Sequence, residues 1–291
     1  TGMSYKAAIM VVLYILFAPL AGGLLEGADR KISARMQGRI GPPLLQPFYD
    51  VRKLMNKQVI AVSVLQTSML LCYLVLMVFT GAIFFAGNDI LMCLFVLSTA
   101  STFMYFAAVV TSSPYNTIAS SRELIQIMTY EPAVLLAGIG FYLVAGTFSV
   151  AKIANSDIVM LTRMPGLFAS FVLILLIKMR KSPFDVSTSH HAHQELVMGV
   201  KTEMGAQNLA IFTITEWYET SILMGIVGLF VVTSNPLSYV GAILLCAAVY
   251  FFLIIADNAC ARVKWTQMLQ ITWLFTLFAS GVNLLILMLI K

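Results

Sequence analysis

The sequence has 291 residues, 60% of them hydrophobic and only 11% charged, with a formal net charge of +5. So small a charged fraction, against about 25% in a typical soluble domain, excludes an ordinary water-soluble enzyme, and nothing in the chain suggests nucleic-acid binding. Four scattered cysteines (Cys72, Cys93, Cys246 and Cys260) have neither metal-ligand spacing nor a disulfide pattern, and read as small buried hydrophobes.

Long apolar runs recur from end to end and are continuous rather than alternating, so they predict helices that cross a bilayer. The expected fold is an all-α polytopic membrane protein of about eight transmembrane helices plus one amphipathic surface helix. It forms a single membrane domain over residues 1–291. The predicted spans are 5–25, 64–86, 90–110, 124–148, 164–177, 209–232, 237–256 and 268–290. The fifth is short, and Lys178 at its end is expected to snorkel to the interface.

The connection after the first span, 26–63, is long. It runs through Glu26, Asp29, Arg30 and Lys31 to Ala34-Arg35-Met36-Gln37-Gly38-Arg39-Ile40-Gly41-Pro42-Pro43, where the prolines break the chain. The segment from Leu44 to Leu54 then places apolar residues at helical spacing with charges opposite, as an amphipathic helix on the membrane surface does. Two readings stand: an anchor on lipid headgroups, or a docking floor for a cytoplasmic partner.

Cations fix the orientation. Arg30, Lys31, Arg35, Arg39, Arg52, Lys53, Lys57, Arg122, Lys178, Arg180, Lys181, Lys201, Arg262 and Lys264 fall in connections on one side. Only Lys6, Lys152, Arg163 and Lys291 fall on the other. The positive-inside rule therefore puts a multi-pass chain in the cell membrane with both termini outside and the large loops, about 26–63 and 180–207, in the cytoplasm.

Acids recur inside the predicted spans, where they are costly and usually serve ions or partners. Glu123 opens the fourth span, and Glu131 lies two turns on, roughly 12 Å deeper, followed by Pro132. An unpaired carboxylate there suits a proton relay; the plain alternative is an ion pair with Arg122 or Lys178. Glu216 and Glu219 share one face of the sixth span and are expected to share protons as a pair. Asp257 closes the seventh, as a partner for Arg262 or Lys264 or as part of the polar path. Between the fifth and sixth spans stand Asp185, His190, His191, His193, Glu195 and Glu203. The histidines lack the i, i+4 spacing that sets two metal ligands on one helix face, and are expected to contact a partner or handle protons.

These motifs resemble those of the membrane subunit of respiratory complex I called the H subunit in bacteria and subunit 1 in mitochondria. Matching segments are Ala34 through Pro42, Leu44-Leu45-Gln46-Pro47, Arg122 through Gln126 to Tyr130-Glu131, Pro183-Phe184-Asp185, Glu195-Leu196-Val197, Glu203, Glu216 and 262–269. Between Asp185 and Glu195, however, the extra carboxylates of the quinone-reducing branch are replaced by the insert 186–194 with its three histidines. That wording, with Glu216-Trp217-Tyr218-Glu219, is similar to the energy-converting NiFe hydrogenases, Ech-type and membrane-bound, and to the related sulfane sulfur reductases.

The resemblance implies a non-catalytic subunit of a membrane-bound oxidoreductase that couples electron transfer to movement of protons, or of protons against sodium. The implied ion pathway is Glu123, Glu131, Glu203, Glu216, Glu219 and Asp257. The implied docking and coupling residues are Arg39, Asp185, His190, His191, His193 and Glu195. Cytoplasmic iron–sulfur and NiFe-type large subunits would carry the clusters and the NiFe centre; this chain would hold no cofactor or metal. Antiporter-like membrane subunits would receive the signal. The rivals are a passive anchor for the redox module, the quinone-site subunit of a complex I-like enzyme, and a secondary transporter, though no internal repeat of the kind such folds often show is visible.

Overall fold

A computed structural model describes residues 5–58, 63–111, 113–185, 187 and 196–290. The chain folds into helices α1 (Tyr5–Met36), α2 (Gln46–Met55), α3 (Val64–Phe85), α4 (Ile90–Val109), α5 (Pro114–Ala145), α6 (Val150–Ala154), α7 (Met160–Arg163), α8 (Pro165–Lys178), α9 (Ala206–Leu229), α10 (Leu237–Ala259) and α11 (Trp265–Ile290). Among the described residues there are no strands, only isolated bridges such as Phe184 with Val263.

Each expected span coincides with a helix, and the described helices differ in how well they suit a bilayer. Six, namely α1, α3, α4, α5, α10 and α11, are long and apolar enough to cross a membrane. The apolar α8 has only 14 residues, because the chain breaks at Met164 (φ −125°, ψ 47°) before Pro165 and the preceding segment forms the short α6 and α7. The 24-residue α9 has the length, but Glu216 and Glu219 interrupt its apolar run.

Two helices also outrun their expected limits. α1 continues to Met36 through the charged stretch, supported by Glu26 and Arg30 one turn apart at 2.6 Å; the first breaker is Gly38 at φ 74°. α5 starts at Pro114, whose missing N–H costs nothing in the first turn, and stops at Gly146 in the left-handed conformation.

The outer helices reverse the polarity of a soluble bundle. On α11, Thr272, Thr276, Ser280 and Asn283 are buried, whereas Leu274, Phe278, Leu285 and Leu289 are exposed. Polar groups turned inward and apolar ones outward suit a solvent of acyl chains. Of the cysteines expected to be buried, Cys93 is, but Cys72 and Cys260 are exposed.

The predicted surface helix exists, as α2, and it is pinned to the bundle. Val51 packs with Ala210 and Trp217, and Phe48 lies 5.1 Å from the Trp217 ring. The approach works because α1 carries glycines beneath it: a side chain at Gly23 would meet the Phe48 ring, and one at Gly27 the Leu44 carbonyl.

Candidate functional site: a buried charge cluster

The helices bring acids to one end of the bundle, and the connection from α8 to α9 brings cations to them. Lys178, the last residue of α8, does not snorkel as expected. It is buried, with Nζ 2.7 Å from Glu219 Oε1 and 2.9 Å from Ser101 Oγ, and it lies 4.6 Å from the centre of the Tyr130 ring. Tyr73 donates its hydroxyl to Glu219 Oε2 at 3.0 Å. Both oxygens of Glu219 are therefore held.

Two residues on, Arg180 takes φ 55°, a left-handed backbone that costs a non-glycine residue roughly 1–2 kcal/mol. The turn sends its guanidinium inward to Glu216, with Glu123 Oε1 at 3.8 Å. Lys201, in the 3₁₀ turn Gly199–Lys201, reaches the other oxygen of Glu216 at 2.9 Å. The Phe212 ring lies under both cations, 5.1 Å from the guanidinium and 4.8 Å from the ammonium. Burial opposes the charge on Arg180, but the attraction of Glu216 and then Glu123 outweighs it and holds the group above its ordinary pKa. Ser187 donates its hydroxyl to the second oxygen of Glu123.

Lys181 extends the pattern, bonding Asp29 of α1 and lying 3.7 Å from Asp257 of α10, which also accepts the Ser182 N–H at 2.8 Å. Asp185 inverts it: the carboxylate sits on the connection and the arginines elsewhere, Arg122 of α5 at 2.9 Å and Arg262 at 2.8 Å. Together with the bridge from Phe184 to Val263, this pair staples the connection to the segment between α10 and α11.

The sequence-predicted residues therefore divide. Glu123, Glu216, Glu219 and Asp257 converge on the cations of one connection. Glu216 and Glu219, expected to share protons, are both met by cations: Lys178 at Glu219, and Arg180 and Lys201 at Glu216. Glu131 is half-buried and accepts from the Ser98 hydroxyl, while Lys178 and Arg122, its expected partners, bond Glu219 and Asp185. Glu203 is exposed in the turn before α9 and stands outside the buried set. Arg39 is exposed and bonds Gln37. Asp185, expected to dock a partner, is only 2% exposed and is spent on internal pairing. His190, His191, His193 and Glu195 lie outside the described residues.

Sequence reasoning missed Asp29, Tyr73, Ser101, Gln126 and Tyr130. Gln126 and Tyr130 could have been found, since they follow Glu123 at helical spacing.

A cavity of about 530 Å³ lies against this cluster, with Lys178, Arg180, Lys181, Lys201, Glu216, Glu219 and Asp257 among its lining residues. A space of this size with these charged groups in its wall admits water, so the pairs adjoin a wettable chamber. Burying each ion costs several kcal/mol that the attraction within a pair barely offsets.

Comparison with known proteins shows the family. Residues 7–288 match the family described as NADH dehydrogenase. The chain belongs to this family. This NADH dehydrogenase family member is 29% identical over 298 residues to hydrogenase-4 component C of Escherichia coli (strain K12), covering 92% of this chain and 91% of that protein. It is 25% identical over 312 residues to the H subunit of the NADH-quinone oxidoreductase of Geobacillus kaustophilus (strain HTA426), covering 97% and 92%. Its fold matches a chain of the membrane-bound sulfane sulfur reductase, an archaeal respiratory membrane complex, with a TM-score of 0.81 at 18% identity over 97% of this chain and 99% of that one. Both branches of the resemblance read from the motifs are thus present, and the family member is a membrane subunit related to those of complex I-like and hydrogenase complexes.

Proposed function

We propose that the chain docks the cytoplasmic iron–sulfur and NiFe-type module of a respiratory complex and couples its electron transfer to proton translocation, or to exchange of protons for sodium. The observation that carries this reading is the division of charge. Lys178, Arg180, Lys181 and Lys201 bracket one connection, whereas Glu123, Glu216, Glu219, Asp29 and Asp257 sit on the helices it touches. A shift of that connection withdraws cations from buried carboxylates. A carboxylate stripped of its partner in a low-dielectric site takes up a proton, and releases it when the cation returns.

In this reading the loops 26–63 and 180–207 face the cytoplasm with both termini outside, and the redox module moves the connection from above. Protonation then passes to antiporter-like membrane subunits. The chain itself carries no cluster.

The test is Glu216→Gln in the assembled complex, reading electron flow and ion gradient separately. Electron transfer in the soluble module stays intact while the gradient per electron collapses. A normal gradient identifies a passive anchor, in which the pairs only hold the fold. Ion transport by the purified chain alone in vesicles identifies a transporter.

A further inference from the structure

We infer that Gln126 holds a single buried water that joins the Glu123 side of the cluster to the Glu219 side, making it a positioning residue for the proton path. This rests on the coupling role proposed above. Gln126 lies on α5 one turn after Glu123 and one before Tyr130. Its side chain is 2% exposed, and its Nε2 has no hydrogen-bond partner among the described residues. A buried amide donor left unmet costs about 1–3 kcal/mol, so a fold that keeps one needs an acceptor for it.

The space for that acceptor is next to it. A second cavity of about 10 Å³ is lined by Gln126, Glu123, Tyr73, Tyr130, Lys178 and Glu219, among others. That is room for the centre of one water molecule and no more. A water there accepts from Gln126 Nε2 and donates toward the carboxylates that share its wall, within the two to four polar partners a buried water requires. Arg180 lines the same space and spans Glu123 and Glu216, so its guanidinium marks the boundary between the two sides without carrying a proton itself. An excess proton passed to this water from the Glu123 side is matched by a different proton given to Glu219; the water is unchanged and no electron moves.

The test uses the assembled complex with Gln126→Leu, which keeps the bulk and removes the donor, and Gln126→Asn, which keeps the amide. A density map fine enough to show ordered waters places one water on Nε2 in the unaltered protein and none in the leucine variant. The leucine variant lowers the gradient per electron by about tenfold with electron flow intact, and asparagine restores most of it. Absence of the water from the unaltered protein overturns the inference, as does a normal gradient in Gln126→Leu. If the leucine variant does not assemble, the map of the unaltered complex together with the asparagine gradient decides. A normal gradient in Glu216→Gln would instead sink the coupling role, leaving the water on Gln126 to be judged from the map.

Discussion

Replacing Lys178 with methionine is expected to destabilise the folded chain by about 3–5 kcal/mol, because it strands the Glu219 anion in a buried site. The side chains of Lys178 and Glu219 are 3% and 9% exposed, so water replaces the lost cation only in part. At about 2–4 °C per kcal/mol, thermal unfolding in detergent should fall by roughly 10 °C. The diagnostic result is the double variant. Lys178→Met combined with Glu219→Gln removes both charges and leaves groups of similar volume, so its unfolding temperature should lie closer to that of the unaltered chain than either single variant does. Strictly additive losses would mean that the two groups are not coupled.

Asp185→Ala is expected to cost about 2–4 kcal/mol and to free the connection that carries the cations. Its carboxylate is the shared acceptor for Arg122 and Arg262, from two different parts of the bundle. Arg262 is 29% exposed and Arg122 is 14% exposed, so part of their charge is rescued by solvent and the loss sits below that for Lys178. Asp185→Asn keeps the shape and one acceptor and should lose roughly half as much. Hydrogen exchange at residues 179–185 checks the mechanism: the backbone should exchange faster in Asp185→Ala with the helical core unaffected. Uniform acceleration across the chain would point to global unfolding and rule out a local staple.

Why some of this was legible in the sequence and some was not comes down to range. Continuous apolar runs announce helices locally, so every expected span coincides with a helix, and the Leu44 to Leu54 pattern predicted α2. Length was misjudged where a local signal competed. At α1 the charges from Glu26 onward suggest an end, but their pairing one turn apart carries the helix to Met36. The acids of α5, α9 and α10 stood out because charge is rare in apolar runs. Their partners did not, because which cation meets which acid depends on how α8 ends, and the left-handed turn at Arg180 is a tertiary result. Lys178 illustrates the point: its position at a span end suggests a route to the interface, yet Glu219, Ser101 and Tyr130 turn it inward. Asp29 was hidden for the same reason, since it reads as one more charge in a basic loop until Lys181 is seen to reach it.

Under the proposed coupling role, the division of cations and acids implies an order of events. Arg180 is shared by Glu123 and Glu216, so its displacement weakens the pairing of both at once while Lys201 stays on Glu216, whereas Lys178 pairs with Glu219. In the proposed coupling, movement near Arg180 acts on the acids of α5 and α9 together, and Glu219 is reached only when the end of α8 moves as well.

Infrared difference spectroscopy of the assembled complex, taken between its oxidised and reduced states, tests the central claim most directly. A carboxylic acid carbonyl band should appear and vanish with the redox state of the partner module and be lost in Glu216→Gln. Electron flow with no change in any carboxyl band, or a band unaffected by that substitution, would show that the ion pairs stay closed and that the chain does not couple through them.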